Sequence, residues 1–175
     1  QSFDVNIFAD DTDHPEGWGT ILVVGMRLGG GDITLDPNSD TDGDTSDDIT
    51  TRSAFVIFDI TNPEVPPKLL AELSSSDMGF TTMRPEVIKK RQASASGSFD
   101  NPVINQWYLM LGSGPAGTDA TSKLAALESG VSNQAAKLYA FDLNTLNFII
   151  PDPGGAPGVA SMPVSGSSQG FVGDF

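Results

Sequence analysis

The sequence predicts an all-β protein made of small antiparallel four-stranded sheets, stacked as the blades of a β-propeller whose ring is incomplete. Three observations lead there: short apolar runs, frequent turn residues (19 Gly and 12 Pro), and an internal repeat. In the repeat, Trp18…Gly25, a turn and Phe-Asp59-Ile-Thr-Asn correspond to Trp107…Gly112, an insert and Phe-Asp142-Leu-Asn-Thr. The two aspartates stand 83 residues apart and the two tryptophans 89. A sheet of that size cannot bury its own faces, and stacking such sheets radially is what stabilises them.

The elements follow in order. Phe3–Phe8 alternates apolar and polar residues, the period of a half-buried strand. An acidic stretch (Asp10, Asp11, Asp13, His14) precedes Pro15, and reads as a capped turn in preference to a second oxygen site for a cation. Trp18–Gly25 is a continuous apolar run, expected to be a strand buried on both faces. After the Gly29–Gly31 turn, an Asp-rich insertion occupies residues 36–52. Strands are expected over 53–63, running into a turn where Asp59 or Asn62 bonds the local backbone, and over 68–73, 85–90, 102–111 and 137–145. Leu146–Ile150 is expected to pair back on the last of these, and residues 121–129 to form a short helix. The domain organisation that results is one propeller domain over 1–175. It has two blades, 1–80 and 81–150, and residues 151–175 connect into a following blade.

Charge narrows the partners. Twenty-three acidic against nine basic side chains give a formal net charge of −14, which repels phosphate backbones and anionic lipid and attracts divalent cations. No nucleic acid and no membrane insertion are expected, since no apolar run approaches the ~20 residues that span a bilayer. Cysteine is absent, so disulfides and thiolate metal sites are excluded.

The strongest chemical signal is Asn38-Ser-Asp40-Thr-Asp42-Gly43-Asp44-Thr-Ser-Asp47-Asp48. Oxygen donors at alternate positions, with glycine sixth to allow the sharp turn, follow the logic of an EF-hand-type calcium loop. The expected Ca²⁺ ligands are Asn38, Asp40, Asp42 and the Asp44 carbonyl. Position 12 is Ile49, leaving Asp47 or Asp48 to replace the usual glutamate. Affinity is expected to be weak, on the order of 10⁻⁴–10⁻³ M.

Two motif matches carry less. Gly112-Ser-Gly114-Pro-Ala-Gly117 has the G-x-G-x-x-G outline, but Pro115 removes a backbone donor that a pyrophosphate would need. Gly166-Ser-Ser168-Gln-Gly170 matches a nucleophile elbow without the flanking strand and helix, and the sole histidine, His14, lies far upstream. No hydrolytic triad can be assembled, so the chain is not expected to be an enzyme.

Asp13-His-Pro-Glu-Gly-Trp-Gly-Thr-Ile-Leu-Val-Val-Gly-Met-Arg27 followed by Gly29-Gly30, and Phe58-Asp-Ile-Thr-Asn-Pro-Glu-Val-Pro-Pro67, resemble ordered motifs of the PilY-type pilus assembly proteins. Trp107–Pro115, Lys137–Leu143 and Gly170–Asp174 continue the resemblance in the same order, over nearly the whole chain. It implies a modified, quinoprotein-like β-propeller from the C-terminal region of an exported protein, at the pilus tip, the cell surface or the outer membrane of a Gram-negative bacterium. It implies support of type IV pilus assembly, surface attachment and twitching motility, with pilus subunits or minor pilins and the rest of the same propeller as partners. Some members carry a calcium loop that tunes pilus extension. No Arg-Gly-Asp tripeptide is present, so integrin-type adhesion is not expected. The alternatives are a quinoprotein-like propeller enzyme, for which cationic and aromatic pocket residues are few, and a purely structural extracellular β-domain.

Overall fold

Trp18–Gly25 shows how the chain organises itself: alternate residues Gly19, Ile21 and Val23 are buried, and the run lies central in an antiparallel sheet. The computed structural model describes residues 1–27, 34–35, 49–50, 53–75, 78–92, 104–115, 132, 136–149, 159–161 and 173. These form eleven strands: β1 Ser2–Asn6, β2 Trp18–Gly25, β3 Thr34–Leu35, β4 Ile49–Thr50, β5 Ala54–Asp59, β6 Lys68–Ser74, β7 Glu86–Gln92, β8 Ile104–Gly112, β9 Lys137–Asp142, β10 Asn147–Phe148 and β11 Val159–Ser161. The only helical element among the described residues is a single 3₁₀ turn, Pro15–Gly17.

The protein is therefore mostly antiparallel β-structure. One four-stranded sheet runs β1-β2-β5-β6; a second runs β7-β8-β9-β10, with β11 as a fifth strand also paired to β9. Each four-strand path is a meander whose order follows chain order, with β3 and β4 forming a separate small ladder between β2 and β5. In both sheets the second strand closes on a glycine and the third on an aspartate, in the same register. Gly25 lies opposite Phe55, four residues before Asp59; Gly112 lies opposite Leu138, four residues before Asp142. The two tryptophans do not share that register, Trp107 standing two residues nearer its glycine than Trp18 does.

Each aspartate ends its strand by the same device. Asp59 Oδ1 accepts hydrogen bonds from Thr61 N–H (3.0 Å) and Thr61 Oγ1 (2.6 Å), and Asp142 Oδ1 accepts from Asn144 N–H (2.8 Å) and Thr145 N–H (3.3 Å). A carboxylate that takes up local backbone donors offers the chain an alternative to the ladder and starts a turn.

The sheets pack on one another around one core. Val5, Ile21, Val23, Phe55, Ile57 and Leu73 of the first sheet join Trp107, Leu109, Leu111, Tyr139 and Phe141 of the second. Leu143, just beyond β9, and Met78 of the connector complete the cluster. The Trp18 and Trp107 rings meet edge to face at 5.8 Å. Lys89 Nζ stands 5.0 Å from the Trp107 ring and 5.9 Å from that of Trp18, a cation–π contact to both. The connector between the sheets is stitched to each: Thr81 N–H donates to Arg27 O (3.2 Å), and Gly114 N–H donates to Met78 O (2.9 Å).

Which faces meet can be read from the ladders, because hydrogen-bonded and non-hydrogen-bonded residue pairs alternate along an antiparallel pair and point to opposite faces. Between β2 and β5, Ile60 N–H donates to Thr20 O (2.9 Å) and Met26 N–H to Ala54 O (3.2 Å). The core-facing pairs Val23–Ile57 and Gly25–Phe55 fall between these and are of the non-hydrogen-bonded kind. Between β8 and β9, Leu143 N–H donates to Trp107 O (2.9 Å) and Ser113 N–H to Lys137 O (2.8 Å). There the buried pairs Leu109–Phe141 and Leu111–Tyr139 are of the hydrogen-bonded kind. The two meanders have the same strand order, so the first contributes its front face and the second its back. They stack front to back.

Several expectations change. Trp18–Gly25 is not buried on both faces: Val24 is 40 % exposed and Leu22 half-buried, because the second sheet covers the other face alone. Residues 49–50, assigned to the Asp-rich insertion, pair with 34–35. Within the stretch expected to be only a connection, β11 pairs with β9, sharing with β10 the edge that β8 leaves free. The expected helix over 121–129 lies outside the described residues. Among the described residues, no helix is long and apolar enough to cross a membrane.

Candidate functional site

The antiparallel pairing of β2 with β5 puts the start of β2 and the end of β5 at one end of the first sheet. The loop entering β2 therefore faces the turn leaving β5, and His14 joins them. Its Nε2 lies 3.0 Å from Asp59 Oδ2 and its Nδ1 2.9 Å from Asp11 Oδ1. The His14 and Asp59 side chains are only 13 % and 11 % exposed, and the imidazole stacks on Phe8 at 4.1 Å. Asn62 Nδ2 donates to Asp13 Oδ1 (2.9 Å), a second link across the same gap. Together with Val65 and Lys68 these groups line a cavity of about 200 Å³.

Local hydrogen bonds shape the loop. Asp11 Oδ1 accepts from the Asp13 and His14 N–H groups (2.9 and 2.8 Å), and Asp10 Oδ1 accepts from Glu16 N–H (2.8 Å). Glu16 itself adopts φ 56°. The acidic stretch at 10–14 is thus a capped turn, the reading preferred from sequence. Among the described residues no group of three or more His, Cys, Asp or Glu side chains is arranged to hold a metal ion.

A neutral imidazole donates through one nitrogen only, whereas here both face carboxylates, an arrangement that suits the doubly protonated ring. Burial works against the charge, but hydrogen bonds to Asp11 and Asp59 and the charges of both outweigh it, so the His14 pKa is raised above its ordinary 6.5. Burial likewise works against the Asp59 carboxylate. The Thr61 hydroxyl and N–H, then His14, outweigh it, and its pKa is lowered. Asp11 is also lowered, first by the His14 N–H and then by its ring.

The pH dependence follows. The His14 contribution is complete below its ordinary 6.5 and is lost as pH rises through the raised folded value. The Asp59 contribution is complete above its ordinary 3.8 and is lost as pH falls through the lowered folded value. The clamp is strongest between those two ordinary values. Thermal melts of His14→Ala are expected to show a loss of roughly 1–2 kcal/mol at mildly acid pH, shrinking as pH rises past neutrality. A deficit that stays constant from acid to alkaline pH would contradict the charged clamp.

The sequence-predicted calcium ligands Asn38, Asp40, Asp42, Asp44, Asp47 and Asp48 lie outside the described residues. Their flanks do not. Leu35 pairs with Ile49 and Thr34 with Thr50, so a short ladder brings the two ends of the Asp-rich stretch together. Of the G-x-G-x-x-G match, Gly112, Ser113, Gly114 and Pro115 are described and all are buried, with Phe80 N–H donating to Pro115 O (3.0 Å). The segment is packed against the connector. The G-x-S-x-G match lies outside the described residues.

The His14–Asp59 pair is a link that sequence reasoning missed. Both residues were singled out, each for a local turn, but 45 positions separate them. Only the β2–β5 register brings them together. Compared with known proteins, the chain matches no family model, no curated protein and no solved structure.

Proposed function

We propose that this chain is a calcium-binding segment of a modified β-propeller in an exported, pilus-associated surface protein. Its role there is to support type IV pilus assembly and attachment through contacts with pilus subunits. The observation that carries the reading is the front-to-back stacking of two meanders of identical strand order, each closing on glycine and aspartate in the same register. Consecutive propeller blades stack in this way, whereas two sheets related by a two-fold axis would present the same face to each other. The ordered motifs from Asp13 to Asp174 supply the pilus-associated part of the reading. Calcium is supported by the density of carboxylates between Asn38 and Asp48 and by the ladder that closes the base of that stretch.

Calcium at about ten to a hundred times its dissociation constant stabilises the state that binds it by roughly 1.4–2.7 kcal/mol. For a chain of this size the melting temperature is expected to rise by about 3–10 °C at about 10 mM calcium, ten to a hundred times the expected dissociation constant. Magnesium is expected to do little, because it dehydrates reluctantly. Replacing Asp40 and Asp42 with asparagine is expected to abolish the rise. In a pull-down, wild type but not that variant is expected to retain minor pilins in calcium and release them in chelator. A melting temperature indifferent to calcium would remove the metal and leave a purely structural β-domain.

A further inference from the structure

Two cavities lie at opposite ends of the first sheet, and they differ in sign. The one at the His14 end is lined by Asp11, Asp13 and Asp59 together with Lys68. The other, of about 340 Å³, is at the lower end of the range for small-molecule sites. It lies where the end of β2 and the start of β5 meet the connector between the sheets. Among the described residues its lining holds Arg27 and Arg84 and no Asp or Glu. In a chain of 23 acidic and nine basic side chains, that concavity reverses the prevailing charge. Its strand residues, Val23, Gly25 and Phe55, lie on the face that the second sheet covers. A further sheet packed on either outer face would therefore not fill it.

Both arginines are held in place. Arg27 has φ 54°, the left-handed region that a long side chain rarely adopts, and Thr81 fixes it there. Arg27 N–H donates to Thr81 Oγ1 (2.7 Å), and Thr81 N–H donates to Arg27 O (3.2 Å). Thr81 is buried, so the clamp lies away from water. Strain maintained by its surroundings in this way is concentrated at binding sites. Arg84 Nε donates to Gln1 Oε1 (2.6 Å). Glu86 Oε1 stands 4.0 Å from the same nitrogen, but both side chains are well exposed and such a pair is weak. The wall beside the guanidiniums includes the buried Phe55 and Met83. A guanidinium grips carboxylate or phosphate through paired N–H groups. The apolar wall decides between them, because a bare phosphate would leave it against water and an apolar group attached to a carboxylate would cover it. We propose that this cavity binds an organic carboxylate with a short apolar body, its charge on Arg27 and Arg84 and its apolar part against Phe55 and Met83. A free acid and the C-terminus of a peptide ending in an apolar residue both offer that chemistry.

Phenylacetate is a suitable probe, titrated into the chain in buffer free of calcium and of other carboxylates. It is expected to bind saturably, with a dissociation constant on the order of 10⁻³ M or below, and to shift the amide resonances of Arg27, Thr81, Thr82 and Arg84. Phenylacetamide keeps the shape without the charge, and inorganic phosphate keeps the charge without the apolar body. Each is expected to bind at least about tenfold more weakly. Arg27 and Arg84 are exposed, so Arg27→Gln and Arg84→Gln are expected to keep the wild-type circular dichroism and to weaken phenylacetate about tenfold or more. Lys68→Gln removes a cation at the other end of the sheet and is expected to change binding by less than about twofold. A short peptide ending in phenylalanine, compared with its C-terminal amide, separates the two sources. Tighter binding of the free-terminus peptide than of phenylacetate assigns the site to a chain terminus, and the reverse assigns it to a free acid; either supports the site. Phenylacetamide binding as well as phenylacetate would overturn the proposal, as would equal losses in Lys68→Gln and the arginine variants. So would wild-type chain that shows no saturation at about ten times the expected dissociation constant.

Discussion

Phe55→Ala is expected to destabilise the protein by about 3–5 kcal/mol and to unfold both sheets together. Phe55 is fully buried on the inner face of β5, and its ring lies so close to Gly25 that a Cβ on that glycine would stand 2.8 Å from it. Removing the ring takes away its transfer free energy and leaves a cavity in a core to which both sheets contribute. The coupling is the stronger part of the prediction. Trp18 reports on the first sheet and Trp107 on the second, so single-tryptophan variants can follow denaturant unfolding in each. Coincident transitions, both shifted by the same amount, are expected for Phe55→Ala. Loss of the Trp18 transition alone would mean that the sheets are separate cooperative units.

Gly114→Ala should cost about 3 kcal/mol or more, through a different mechanism. A Cβ at position 114 would overlap the Phe80 carbonyl oxygen and crowd its carbon. Both are backbone atoms, which cannot swing aside as a side chain can. Two hydrogen bonds hold the close approach, Gly114 N–H to Met78 O and Phe80 N–H to Pro115 O. Separating the connector from the segment after β8 to admit a methyl group would strain or break both. The melting temperature is expected to fall by roughly 6–12 °C, and a variant melting within a degree or two of wild type would show that the connector does not lie against β8's end as described.

The parts of this fold that sequence made visible are those whose causes are local. The strand boundary at Asp59 is one, because the carboxylate that ends β5 bonds a residue two positions on; Asp142 does the same for β9. Leu22 and Val24 show where local reading stops. Both are apolar, so Ile-Leu-Val-Val looks covered on two sides, yet the second sheet lies over Ile21 and Val23 only. Periodicity reports which side chains are apolar and carries no information on how many neighbours arrive to cover them. Val159–Ser161 was hidden for the opposite reason. Its surroundings are Pro, Gly and Ser, and its pairing is dictated by the free edge of β9. At the candidate site the capped turn around Asp11 was legible, while His14 on Asp59 depended on a register that no spacing within the chain encodes.

The most direct test of the stacking is a methyl nuclear Overhauser spectrum of protein labelled at Ile, Leu and Val. Front-to-back packing predicts cross-peaks from the methyls of Ile21, Val23 and Ile57 to those of Leu109 and Leu111, with none from Val24 to either leucine. Cross-peaks joining Val24 or Leu22 to Leu109, or Leu138 to Ile57, would place the opposite faces together and contradict the architecture on which the functional proposal rests.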